Sequence, residues 1–264
     1  MRILSLTKTE TLLLLACAAL LGLALWGPAL AQPPHAHDFA DQRVLWGIPK
    51  ALDVLSNLPF AIVGVWGLAV LRQAPPPTMS AVHRAIARLA FIGLLATAVG
   101  SGWYHHAPDD VGLAIDRATM GLAFAGVLGL VMAERVSDRA GAALACAVLV
   151  LAPAGALACL LTGNVLPWAV AQFGGIALLL LALAMRAVRP GSQPVQWLLV
   201  LLAYALAKLF EANDHAIYEA SGQLLSGHTL KHVAAAFAGL PLIAALSPAP
   251  RRHNAWKSAA RNAR

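Results

Sequence analysis

The chain has 264 residues, of which 59% are hydrophobic and 12% charged, and it carries a net charge of +7 at neutral pH. Soluble domains carry about 25% charged residues, so too few are present to coat a water-facing globule. Disorder and a disulfide-stapled scaffold are excluded too, the second because the only three cysteines, Cys17, Cys146 and Cys159, all lie in apolar stretches.

Eight apolar blocks follow one another, over roughly 10–31, 53–71, 85–103, 112–133, 140–161, 166–186, 194–210 and 228–246. Their length is near the ~20 residues that cross ~30 Å of hydrocarbon as a helix. Ten-residue segments of alternating polarity are absent, which argues against an outer-membrane barrel. The expected fold is an all-α membrane protein: a seven-transmembrane helical bundle with an additional N-terminal leader or signal-anchor helix. Residues 1–31 read as a signal peptide or as an extra N-terminal helix, because Arg2 and Lys8 precede the apolar run and Ala29-Leu30-Ala31 resembles a cleavage site. Residues 32–52 form an external acidic segment, 53–246 a seven-helix catalytic membrane domain, and 247–264 a basic cytoplasmic tail.

Charge sets the expected orientation. With residues 32–52 outside, only Arg43, Lys50, Arg117, Lys208 and Lys231 of the 19 lysines and arginines fall on the outer side. The rest face inward, a positive-inside pattern. The expected location is a cell (inner) membrane, with the C-terminus cytoplasmic. The net positive charge then belongs to the inner face and needs no nucleic acid. The tail from Arg251 would grip anionic lipid headgroups.

The polar residues gather on the opposite, outer side. Ser101 and His105 are four apart at the end of the third block, and His228 and His232 are four apart at the start of the last. Residues i and i+4 share a helix face. Asp116 lies near the outer end of the fourth block. Lys231, between the two late histidines, is expected to point elsewhere. Three neutral imidazoles leave a fourth tetrahedral position on zinc open to water, a carboxylate can relay a proton, and a hydroxyl can donate to a developing oxyanion. Plainer roles stand beside these. A membrane histidine can be an inter-helix hydrogen-bond partner, Asp116 can pair with Arg117 or Lys231, and Ser101 can be a small packing residue. His106 and His215 read as loop residues.

Four segments carry a family resemblance: Ser56-Asn57-Leu58-Pro59-Phe60, Gly100-Ser101-Gly102-Trp103-Tyr104-His105, Asp116-Arg117-Ala118-Thr119-Met120 and His228-Thr229-Leu230-Lys231-His232. In this order, from about Asp38 to about Leu246, they resemble the alkaline ceramidase family, a group of seven-helix zinc hydrolases related to the progestin and adiponectin receptors. The resemblance implies His105, His228 and His232 as zinc ligands. It implies Asp116 as the residue that orients or deprotonates water and Ser101 as the one that steadies the oxyanion. The implied reaction is cleavage of the N-acyl amide of ceramide-like membrane lipids to a sphingoid base and a fatty acid. Some members of the family bind calcium through an acidic segment before the first helix. Asp38, Asp41 and Asp53 are the matching candidates here, although Arg43 and Lys50 stand where neutral or acidic groups are expected. The alternatives are a receptor-like or regulatory seven-helix protein with structural zinc, and a hydrolase of another acyl lipid. Oligomeric state has no signature in the chain.

Overall fold

The computed structural model describes residues 6–74, 79–185 and 194–247; the basic tail from Arg251 lies outside them. Each of the eight apolar blocks becomes helix. In chain order these are α1 (Lys8–Trp26), α2 (Ala51–Leu55) with α3 (Leu58–Gln73), α4 (Ala81–His106), α5 (Asp110–Arg135), α6 (Asp138–Thr162), α7 (Leu166–Ala169) continued through a π-helical turn over Val170–Gly174 into α8 (Gly175–Met185), α9 (Trp197–Ala212), and α11 (Gly227–Phe237) with α12 (Leu240–Leu246); a short α10 (Asp214–Ala220) precedes α11. Seven of these stretches are long and apolar enough to cross a membrane, α1 among them. The seventh block forms α9, which has 16 residues and is the shortest of the eight. The number and composition of these helices are those of a multi-pass membrane protein. Leu15, Leu25, Ile62, Val99, Leu161 and Leu198 all point outward, an arrangement suited to lipid rather than water.

Local chemistry sets the helix starts. Ser80, Asp109, Ser137 and Ser226 each accept a hydrogen bond from a backbone N–H three residues on, which caps α4, α5, α6 and α11. Between α1 and α2 the chain makes a two-residue hairpin, Val44–Leu45 against Ile48–Pro49. Its turn residues Trp46 and Gly47 both have positive φ, 54° and 77°, the signature of a tight turn that matches strand twist.

The helix that matters most for position is α4, which lies against α5 along its length. A Cβ on Gly93 would sit 2.3 Å from the Ala123 nitrogen, and one on Gly126 would sit 2.3 Å from the Ala90 nitrogen. Only glycine permits that approach, and small residues are how membrane helices pack closely. The interior they help enclose contains Phe91, Val131, Met132 and Leu242. Glu134, fully enclosed there, accepts from Arg135 Nε, the Val195 N–H and Trp197 Nε1.

Helix α1 is tied to the body at both ends. The Glu10 carboxylate accepts from Ser137 Oγ at 2.7 Å and Arg139 Nη2 at 2.6 Å. Beyond its other end, the Val165 N–H donates to the Leu30 carbonyl at 2.7 Å and the Gln32 N–H to Gly163 at 3.1 Å.

Candidate metal centre

The α4–α5 contact, the end of α9 and the start of α11 converge at one end of the bundle. His105 arrives on the last turn of α4, and His228 and His232 on the first turns of α11. Their ring centroids are 4.6, 4.8 and 4.9 Å apart. All three rings are buried. Nitrogen atoms from the three lie within 4.8 Å of one another, so the group can hold a metal ion. Among the described residues it is the one such group of histidine, cysteine or acidic side chains.

The donors fit a tetrahedral ion. His105 Nε2 and His228 Nε2 face each other at 3.2 Å. Two nitrogens bound to one zinc at ~2.0–2.1 Å and a tetrahedral angle stand ~3.3 Å apart. His232 Nε2 is buried without a hydrogen-bond partner, while its Nδ1 lies 2.8 Å from Ser56 Oγ. A ring nitrogen held by a second group while the other stays free is how a metal-binding imidazole is usually oriented.

Each ligand position has a local cause. The helix of the second block breaks at Ser56-Asn57, just before Pro59 in the first turn of α3. Asn57 Nδ2 donates to the Asp53 and Val54 carbonyls and stabilises the break, which leaves Ser56 aimed at His232. Asp53 locks α2 to the start of α11: its Oδ1 accepts from Ser226 Oγ at 2.9 Å and Thr229 Oγ1 at 2.7 Å. Asp214 Oδ1 accepts from the His228 N–H at 2.7 Å, and its Oδ2 from the Ala40 N–H at 3.0 Å. One carboxylate thus fixes both a histidine backbone and the segment above it. Phe39 on that segment packs edge-on against His105 and His228 at 4.7 and 4.6 Å and covers the centre.

Asp116 comes from the second turn of α5. It is buried, and its Oδ1 has no hydrogen-bond partner. The Ser101 hydroxyl is its neighbour from α4, brought close because Gly100 lets α4 meet Thr119 of α5; a Cβ there would lie 2.5 Å from the Thr119 hydroxyl. The five residues singled out for the zinc centre, His105, His228, His232, Asp116 and Ser101, are all buried.

Several expectations are corrected. Lys231 does not point away: its Nζ lies 2.9 Å from His228 Nε2 and 3.1 Å from Glu211 Oε1, because α11 turns its first-turn face toward the end of α9. Asp116 forms no ion pair with Arg117 or Lys231 among the contacts of the described residues. Arg117 bonds instead to Gln32 Oε1 and Cys159 Sγ. The calcium candidates are not gathered into one site. Asp38 faces His215 at 3.7 Å, Asp41 is held by Arg43, and Asp53 is held by two hydroxyls. Arg43 makes a two-pronged contact with Asp41, Nε to Oδ1 at 2.8 Å and Nη2 to Oδ2 at 2.7 Å. Burial opposes ionisation of Asp41, but the Arg43 hydrogen bonds outweigh it and hold the carboxyl below its usual range. His106 is an exposed residue of helix α4 and His215 one of α10, rather than loop residues.

Ser56 as a partner of His232, Asp214 as the anchor of His228, Phe39 as a cover and the Lys231–Glu211 pair were not assigned from sequence. Only the Ser-x-x-Thr start of α11 and the Asn-x-Pro break carried a local signal for any of them. The fold and site define a class: a multi-pass helical membrane protein with a buried three-histidine centre. The chain matches no protein-family model, and no curated protein matches it.

Proposed function

We propose that this protein is a zinc-dependent membrane amidohydrolase that cleaves the N-acyl amide of ceramide-like lipids to a sphingoid base and a fatty acid. The observation that carries the reading is the convergence of three imidazoles, with buried Ser101 one turn before His105 on α4 and buried Asp116 next to Ser101, on the residues of the family-like segments. His105, His228 and His232 would hold the ion. What a bound zinc ion supplies is Lewis acidity, enough to polarise a carbonyl and to make water acidic near neutral pH.

The chain's own groups supply the rest. Asp116 Oδ1, buried and without a partner, takes the proton of the attacking water and delivers it to the leaving nitrogen. Ser101 donates to the carbonyl oxygen as it gains negative charge. Phe39 keeps bulk water off the imidazoles. The amide C–N bond breaks, a C–O bond forms, and the water's two hydrogens end on the acid and the amine. By the charge asymmetry of the loops, this end of the bundle faces outward, where a two-tailed amide lipid places its scissile group near the headgroup boundary.

The test combines metal analysis with turnover. The full chain should hold stoichiometric zinc and release fatty acid from ceramide. His105→Ala, His228→Ala and His232→Ala should each lose both. A triple-alanine variant that still cleaved ceramide would sink the mechanism. Stoichiometric zinc without turnover of any N-acyl lipid would favour the receptor-like reading, and turnover of other acyl lipids alone would move the substrate class.

A further inference from the structure

The tip of the hairpin carries a tryptophan where a tight turn favours asparagine or glycine. Trp46 has a φ of 54°, a left-handed backbone that a bulky side chain rarely adopts. Burial does not offset the strain, because Trp46 is 78% exposed. The ladder beneath it has two residue pairs, and a hairpin that short does not hold itself together in water. Backbone strain of this kind persists where a function uses it.

Trp46 is not isolated. Arg43, at the base of the hairpin, donates to the Leu224 carbonyl at 3.0 Å, which ties the hairpin to the turn between α10 and α11. That turn also has left-handed backbone, at Gly222 and Gln223. Ser221 Oγ closes it, donating to the Leu225 carbonyl and accepting from the Leu225 N–H. Two fixed turns thus stand side by side, and Val44, Trp46, Leu224 and Leu225 on them are all exposed. Water-facing turns are built from polar residues and glycine; these two display apolar side chains instead.

Their place in the fold identifies what meets them. The hairpin leads into α2 at the histidine-bearing end of the bundle. Trp103, on the last turn of α4, is exposed at the same end. So is Trp26, the last residue of α1; Gln32, just beyond it, donates to Asp110 at the start of α5. Arg43 and Lys50 flank the hairpin. Exposed tryptophan with basic residues beside it is the side-chain set that settles at a membrane–water boundary, because the ring is apolar while its N–H and the cations reach the headgroups.

We propose that the hairpin tip and the α10–α11 turn form a membrane-anchoring surface that seats Trp46 in the headgroup layer of a phospholipid bilayer. The chain runs from Phe39, which covers the histidine centre, through Arg43 into the hairpin, so the anchor holds the lipid boundary next to that cover. The surface needs neither a metal ion nor a reaction.

The test is tryptophan fluorescence of the full chain in phosphatidylcholine nanodiscs. Asparagine suits the backbone of the turn, so the spectrum of Trp46→Asn subtracted from that of wild type isolates Trp46. Trp46→Phe, which keeps an aromatic ring, provides an independent subtraction. Trp46 should emit at shorter wavelength than tryptophan in water and be shielded from aqueous iodide. Lipid with a nitroxide near the headgroup should quench it more than lipid with a nitroxide at the end of the acyl chain. Water-like emission with free access to iodide would overturn the inference. So would shielding from iodide with no quenching by either lipid, which would give the surface to a protein partner or a second copy. Stronger quenching from the chain end would overturn it too, by placing the ring in the hydrocarbon core.

Discussion

The Ser56 hydroxyl, with the Asp53 carbonyl beside it, orients His232. Ser56 Oγ, 2.8 Å from His232 Nδ1, fixes the ring so that Nε2 points inward. Ser56→Ala should therefore weaken zinc affinity by about 10–100-fold, the usual effect of removing a group that orients a metal ligand. Competition with a chelator of known affinity measures this, and an unchanged zinc affinity would show that the Asp53 carbonyl and packing hold the ring without the hydroxyl. Asp116 makes the opposite prediction, because it is placed to move protons rather than to ligate. Asp116→Asn should retain zinc and lower kcat by about 10²–10⁴-fold. Loss of zinc from this variant would reassign Asp116 to the ligand set.

At the scale of elements, the centre depends on three junctions. The glycines of α4 set its distance from α5, Asp53 pins α2 to the start of α11, and Asp214 pins α11 to the covering segment. Asp214 is the most revealing to remove. Its two oxygens satisfy the backbone N–H groups of His228 and Ala40, and an orphaned buried donor costs about 1–3 kcal/mol. Asp214→Ala should lower the unfolding midpoint of the metal-free protein, and zinc should recover part of the loss, since a ligand that binds only the folded state stabilises it by mass action. Thermal unfolding with and without zinc reads both effects. An unshifted midpoint would mean that Phe39 packing holds the segment without the carboxylate.

Across the molecule, among the described residues, an exterior of exposed leucine and valine separates two polar ends, and the end that carries the histidines is closed by residues 32–50. That closure has an electrostatic clamp. Arg43 grips Asp41, donates to the Leu224 carbonyl at 3.0 Å and lies 5.5 Å over the Tyr218 ring. The folded-state pKa of Asp41 lies below its unfolded value. Its contribution is therefore fully present above the unfolded pKa of about 4, and is lost as pH falls through the lower folded value. Hydrogen exchange of the amides in 36–48 should stay slow from pH 7 to about 4 and quicken below, after correction for intrinsic rates. Arg43→Met should flatten that dependence. A wild-type profile with no acid limb would remove the clamp from the account.

The sequence by itself determined the helices, because hydrocarbon demands long apolar runs with internally satisfied backbones, and such runs are visible without a fold. It also determined which polar residues share a helix face, since four-residue spacing is local: Ser101 with His105, and His228 with His232. What only the tertiary structure decided is which side chain meets which across helices. Lys231 illustrates this, because spacing on α11 placed it away from the histidine pair, whereas the approach of α9 brought Glu211 to draw it in. Asp41 and Asp53 likewise look like cation ligands as a string of acids, but Arg43 takes both oxygens of Asp41, and Ser226 and Thr229 share one oxygen of Asp53. Contacts between residues about 175 positions apart, such as Ser56 with His232 and Ala40 with Asp214, depend on how whole helices pack, and no local periodicity encodes that.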